Sequence, residues 1–192
     1  MIQTQVASRL PGLTCAISDT GPLISVFQSD SLSILTQIFG QIYVPGGCAE
    51  ELEEHGWQLE LQDAVPFLTI VELDASERER AFTFAGQIAH HPAAKNADPQ
   101  HHLGEAQGIV LVLRPEHRDD LLLLDERVAR EIAKQAGVRL SGFPGALLLA
   151  AQVGLISPDE LRERLETCCE KGTHYSSVLI SQVCEMAKQR QR

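Results

Sequence analysis

The chain has 192 residues, 44% hydrophobic and 22% charged, the composition of an ordinary globular protein of one compact domain, two at most. Sixteen basic against twenty-six acidic residues give a formal charge of −10. That balance excludes a protein that holds nucleic acid chiefly by a basic surface, though not a nucleic-acid enzyme whose acids are gathered at a metal site.

Residues 1–13 read as an N-terminal extension, with no basic segment leading into an apolar core and no run near 18 apolar residues anywhere in the chain. Neither secretion nor a membrane span is expected. The five cysteines, an odd number with no C-x-x-C pair, read as reduced thiols of a cytoplasmic protein. A single domain is expected over 14–189. Its apolar runs are TCAIS at 14–18, IYV at 42–44, FLTIV at 67–71, LLLL at 121–124 and VRL at 138–140. Between them lie segments of helical period, such as Cys48, Leu52, His55 and Leu59. Short continuous apolar strands alternating with helices predict an α/β fold, a central parallel sheet covered on both faces. Residues 90–102 (HHPAAKNADPQHH) carry two prolines and four of the seven histidines. They read as a His/Pro-containing loop or flap inserted before a helix that starts near Leu103. From about 143 to 189 the pattern is helical, with Ser157 as an N-cap ahead of Pro158.

Four acids stand out. Asp19 follows the first strand directly and Asp125 follows the fourth. In an open parallel sheet, ligands bind beyond the carboxyl ends of the strands where the topology reverses, so neighbouring strands would aim both into one crevice. The plainer role of each is to cap the helix that follows. Glu105 begins a mostly apolar helix, on the side of Ile109 and Val112, with no Lys or Arg on that helix before Arg114. A carboxylate on a buried face is costly unless something cationic meets it. Glu51 lies among four Glu in residues 50–54, and 48–80 holds ten acids against Arg78 and Arg80. Carboxylates converging without basic partners make a hard-oxygen site suited to Mg²⁺ or Mn²⁺, ions that polarise a phosphoryl oxygen and activate water. No phosphate-cradling glycine loop is present.

Ser18-Asp19-Thr20-Gly21-Pro22-Leu23-Ile24, Tyr43-Val44-Pro45 with Glu51-Leu52, Leu103-Gly104-Glu105-Ala106, and Leu123-Leu124-Asp125-Glu126 with Arg127 and Arg130 together resemble PIN-domain proteins. Within that family they resemble the branch related to VapC-type toxins. SGFPGALLLAAQVGLIS and the YSSVL segment extend the resemblance over about 15–187. It implies a three-layer α/β/α fold and a divalent-metal-dependent endoribonuclease acting on single-stranded RNA. Such a protein is often the toxin of a toxin–antitoxin pair, partnered by an antitoxin protein and commonly a homodimer. Asp19, Glu51, Glu105 and Asp125 match the family's acidic positions and would hold Mg²⁺ or Mn²⁺, with Glu51 completing the cluster or orienting water. Water would attack the scissile phosphate in line, leaving a 5′-phosphate and a 3′-hydroxyl. Thr20 matches the hydroxyl beside the first acid, and Thr20, Arg127 and Arg130 are candidates for substrate contact. The plainer reading of Arg127 and Arg130 is an exposed helix face, with Glu126–Arg130 as a pair. Gly46-Gly47-Cys48 departs from the family's bulkier lead-in to Glu51 and is expected to loosen that helix start.

Two other readings remain. His90, His91, His101 and His102 would bind zinc between the ends of one loop, though without the spacing of structural zinc sites. A catalytically silent PIN-like binding or regulatory module is the alternative function, given the net charge and the 5% aromatic content that leaves few stacking platforms for RNA.

Overall fold

A computed structural model of the protein describes residues 15–190; the extension 1–13 and Thr14 at the head of the first strand lie outside the described residues. Five strands, β1 (Cys15–Ser18), β2 (Gln41–Pro45), β3 (Leu68–Val71), β4 (Leu121–Leu123) and β5 (Leu140–Ser141), form one sheet. Its order is β3-β2-β1-β4-β5 and every pairing is parallel. The chain builds outward from β1 to β3, then crosses back to lay β4 on the other side of β1. Ser18 pairs with Leu123. The reversal therefore falls between β1 and β4, the strands that end at Asp19 and Leu124-Asp125.

Side chains on these strands alternate between two apolar layers, as the pleat requires. Ala16, Ile42, Val44, Leu121 and Leu123 join a core with α1 (Thr20–Gln28), α2 (Leu32–Ile38), α3 (Gly46–Glu54) and α4 (Gln58–Ala64). The same layer holds α8 (Phe143–Gln152), α9 (Pro158–Glu170) and α10 (Ser177–Arg190). Ile17, Leu122 and Leu124 face α5 (Ala75–Ala89), α6 (Leu103–Val112) and α7 (Arg127–Gln135) on the other side. The result is the expected three-layer α/β/α sandwich with a parallel sheet. No helix among the described residues is long and apolar enough to cross a membrane.

Local expectations hold with three adjustments. Ser157 caps α9 in a reciprocal capping box with Glu160, but turns at 153–157 and 171–176 divide the C-terminal third into three helices. The fifth strand sits at Leu140–Ser141, later than VRL, because register with β4 pairs Leu122 with Leu140. The stripe Cys48-Leu52-His55-Leu59 breaks after Glu54. Gly56 turns the backbone through φ 84, which only glycine adopts freely, so Leu59 stands 72% exposed on a separate helix.

The 90–102 segment is an irregular surface stretch that ends in a packed 3₁₀ turn, Pro99–His102, whose last residue is buried. It is not a free flap over its whole length. Its histidines take separate partners: His90 Nδ1 meets Gly86 O, His91 lies against Glu131, and His102 Nε2 meets Asn96 O. They do not converge on a zinc site.

Candidate functional site

The carboxyl ends of β1 and β4 open into a cavity of about 210 Å³ lined by Asp19, Thr20, Glu51, Glu105, Asp125 and Glu126, with Gly21 and Ile24 and no Lys or Arg. The four acids singled out in the sequence therefore share one pocket. Three elements deliver them beside Asp125: Asp19 at the start of α1, Glu51 from the middle of α3, and Glu105 from the first turn of α6.

Neither strand-end aspartate caps its own helix. Asp19 occupies the N-cap position of α1, yet its side chain makes no capping bond. Its amide donates to Leu123 O at 3.0 Å, and the carboxylate, in a residue 6% exposed, faces the pocket. Asp125 leaves the capping of α7 to Glu126, whose Oε2 accepts from the Ala129 amide at 2.6 Å. Asp125 instead accepts from the Phe143 amide (3.1 Å) and from the Tyr175 hydroxyl (3.0 Å). Tyr175 also meets Ser25 Oγ at 2.7 Å.

Thr20 is buried and donates to Glu51 Oε2 at 2.7 Å. It positions an acid, and its proton is committed to Glu51. Glu51 has its other oxygen 3.8 Å from His55. Glu105, with its side chain 16% exposed, lies 3.8 Å from His102 Nδ1, the nearest base to it. Two arginines expected at the substrate differ. Arg127 is exposed and pairs with Glu131 at 3.3 Å. Arg130 donates to Leu124 O at 2.6 Å, so it braces the end of β4 and forms no pair with Glu126.

Burial beside other carboxylates shifts the acids strongly. Asp19 is pushed well above the usual carboxylate range by desolvation and by Glu105, with Glu51 and Asp125 adding to the effect. Desolvation lifts Glu105 to about 7, reinforced by Glu51 and Glu126. Asp125 is raised by burial, against the Tyr175 and Phe143 hydrogen bonds and the Arg130 charge that favour its ionised form. Such concentrations of repelled, desolvated carboxylates mark functional pockets more often than structural ones. Among the described residues no group of three or more His, Cys, Asp or Glu is drawn close enough to grip an ion as it stands. The donor set is nonetheless all hard carboxylate oxygen in a desolvated pocket with no basic lining, which fits Mg²⁺ or Mn²⁺ and no soft metal.

The sequence does not announce the roles of several other contributors. Cys48, fully buried, points its thiol at Asp19 Oδ1 (3.7 Å) and Gly104 O (3.5 Å), and burial pushes that thiol up. Gly104 has a steric reason: a Cβ there would stand 3.3 Å from Glu51 Oε2 and 3.5 Å from Asp19 Oδ1. The Gly46–Gly47 pair opens α3 behind Pro45, with no side-chain cap bond. Gly47 donates its amide to Gln107 Oε1 at 3.1 Å, and a Cβ there would press on the same atom at 2.7 Å. Glu126 was visible in the sequence as the doublet after Asp125. Tyr175, fifty residues from its partner, was not.

No curated protein and no solved structure matches the chain in sequence. A family model described as a PIN domain matches residues 15–189, the span that holds the sheet, the reversal at β1 and β4 and all four acids; the chain belongs to the PIN-domain family.

Proposed function

We propose that the protein is a divalent-metal-dependent endoribonuclease that hydrolyses phosphodiester bonds of single-stranded RNA. The observation that carries this reading is the pocket at the sheet's reversal point, whose lining brings together Asp19, Glu51, Glu105 and Asp125 and includes no Lys or Arg. Asp19, Glu105 and Asp125 would hold Mg²⁺ or Mn²⁺, with Glu51 completing the set. The ion supplies charge neutralisation at the scissile phosphate and a lowered pKa for the attacking water. Glu51, whose side chain is 45% exposed against 16% for Glu105, orients that water through the oxygen that Thr20 does not hold. Arg127, extended into solvent, reaches a flanking phosphate and positions the strand.

The family resemblance further supports action as the toxin of a toxin–antitoxin pair, a homodimeric assembly and a cytoplasmic location. The five free cysteines agree with a reducing compartment. Sedimentation of the purified protein, alone and co-expressed with the product of the adjacent gene, tests the assembly.

A second reading has one specific observation in its favour. Both oxygens of Asp125 are hydrogen-bonded within the fold, as they would be in a silent binding module. Incubation of short single-stranded RNAs with Mn²⁺ or with EDTA separates the two. Metal-dependent cleavage, abolished by Asp19→Asn, supports the nuclease. Thermal stabilisation by Mn²⁺ with no cleavage of any RNA supports the module.

A further inference from the structure

A second and larger cavity, of about 530 Å³, adjoins the acidic one and shares Gly21, Ile24 and Asp125 with it. Its size falls in the range of about 300–1,000 Å³ typical of small-molecule sites, whereas the acidic pocket is too small for more than an ion and a phosphoryl group. The two compartments differ in chemistry. Ile24, Pro144, Leu179 and Val183 give the larger one apolar walls, with Arg130 and His174 as its only basic side chains and Asp125 as its only acid. The acidic pocket has five carboxylates and no base.

We propose that this groove seats one unstacked nucleotide of single-stranded RNA, next to the phosphodiester held at the acidic pocket. The proposal rests on the nuclease reading and names the part of the substrate which that reading leaves unplaced. A nucleotide matches the juxtaposition in three respects. Its base has apolar faces for the walls contributed by Ile24, Pro144 and Leu179. Its phosphate carries the charge that Arg130 and His174 attract and that the acidic pocket without its ion would repel. Its length bridges the two compartments across Asp125, the residue they share. The scarcity of exposed aromatic platforms, which weighed against RNA in the sequence, is met by enclosure: a base buried between aliphatic walls needs no stacking partner. A paired base cannot enter such a groove without leaving its helix, so the groove also selects for unpaired strands.

The walls come from distant parts of the chain. Ile24 belongs to α1, Pro144 opens α8 and Leu179 lies on α10. The stretch before α10 is fastened by Thr173 Oγ1 to Gln28 Oε1 (2.7 Å) and by Tyr175 to Asp125. The groove is thus built before any ligand arrives.

The test uses Leu179→Trp, which fills the groove from a half-buried helical position, with His174→Ala as a milder second variant and thermal melting as the check on folding. Three readouts are compared. The first is cleavage of a single-stranded heptaribonucleotide in Mn²⁺. The second is hydrolysis of bis(p-nitrophenyl) phosphate, which needs the acidic pocket alone. The third is anisotropy of fluorescein-labelled tetrauridylate in EDTA, with an abasic tetramer as competitor. Leu179→Trp is expected to lower RNA kcat/KM at least about tenfold and His174→Ala a few-fold, with bis(p-nitrophenyl) phosphate hydrolysis within about twofold of the parent. The abasic tetramer should compete poorly against tetrauridylate. Parental RNA cleavage by Leu179→Trp, or equal competition by the abasic tetramer, overturns the proposal. If the parent cleaves neither substrate, the nuclease reading fails by itself, and binding in EDTA still decides the groove. Tetrauridylate bound by the parent and not by Leu179→Trp supports it. No binding, or displacement of tetrauridylate only by an apolar peptide, sinks it.

Discussion

The Tyr175 hydroxyl lies 3.0 Å from Asp125 Oδ2 and 2.7 Å from Ser25 Oγ. The segment before the last helix is thereby tied to the acid that the two cavities share. Tyr175→Phe removes both bonds and leaves Asp125 with only the Phe143 amide. The expected cost is about 1–3 kcal/mol by urea denaturation, since two part-buried polar groups lose a partner. RNA cleavage should fall several-fold more than stability explains, because Asp125 is then free to turn. Unchanged activity in a destabilised variant would show that Tyr175 serves the fold alone.

The raised acids predict a direction for stability against pH. Glu105 moves from its ordinary 4.5 to about 7 and Asp19 moves the same way. The folded state therefore holds these protons more tightly than the unfolded chain. Their favourable contribution is complete below about pH 4 and is lost as pH rises toward and through about 7. The Glu105 shift alone corresponds to something on the order of 3 kcal/mol. In EDTA the melting temperature should fall between pH 5.5 and pH 8, and Glu105→Gln should flatten the slope. Mn²⁺ should raise the melting temperature at pH 8 and have little effect at pH 5, where protons occupy the same oxygens. A melting temperature level across this window in EDTA would remove the electrostatic case for a metal.

Asp19→Asn separates stability from activity. It relieves a desolvated charge that three neighbouring carboxylates repel, so the metal-free variant should melt a few degrees higher than the parent at pH 8. Cleavage should drop at least about a hundredfold with the loss of a ligand. A variant that cuts RNA at the parental rate would falsify the placing of Asp19 at the chemistry.

Gly142→Ala probes Asp125 from the neighbouring cavity, whose wall Gly142 forms. The added Cβ would collide with Asp125 Oδ1 and stand 3.5 Å from Arg130 Nη1, neither of which is free to retreat. Overpacking of this kind costs about 1–3 kcal/mol, measurable by urea titration, and activity should fall with it. An Ala variant as stable and active as the parent would show that Asp125 has room to move.

The two arginines after β4 should behave oppositely. Arg127, with its side chain 80% exposed beside Glu131, should be replaceable by Ala within about 0.5 kcal/mol. The variant should cleave RNA more slowly, most visibly at low salt, if Arg127 meets a phosphate. Arg130 satisfies Leu124 O, and Arg130→Ala should cost about 1–3 kcal/mol because that carbonyl loses a charged donor. Equal stability losses in the two variants would contradict this division.

Much of the architecture was legible because it rests on short-range patterns. Apolar runs such as LLLL, each followed by a polar stop, announce strands buried on both faces. Ser157-Pro158-Asp159-Glu160 announces a helix start by its own hydrogen bonds. The acids were legible for the same reason, since each lies at the end of a strand or on a readable helix. The meeting of Asp19 and Asp125 follows from one topological fact, that β1 and β4 are neighbours, while Glu51 and Glu105 reach the pocket on α3 and α6.

Roles that depend on partners distant in the chain were not legible. Nothing local to Tyr175 marks it as the partner of Asp125, nothing local to Cys48 aims it at Asp19, and nothing near Thr20 says its hydroxyl is taken by Glu51. The amino-acid sequence by itself determined the layered α/β fold and the supply of carboxylates, because strand burial, helix starts and charge are properties of neighbouring residues. Only the tertiary structure decided which of those carboxylates are bare, which are held and what lies beside them. Hydrogen bonds and desolvation act between atoms that folding brings within a few ångströms, wherever they stand along the chain.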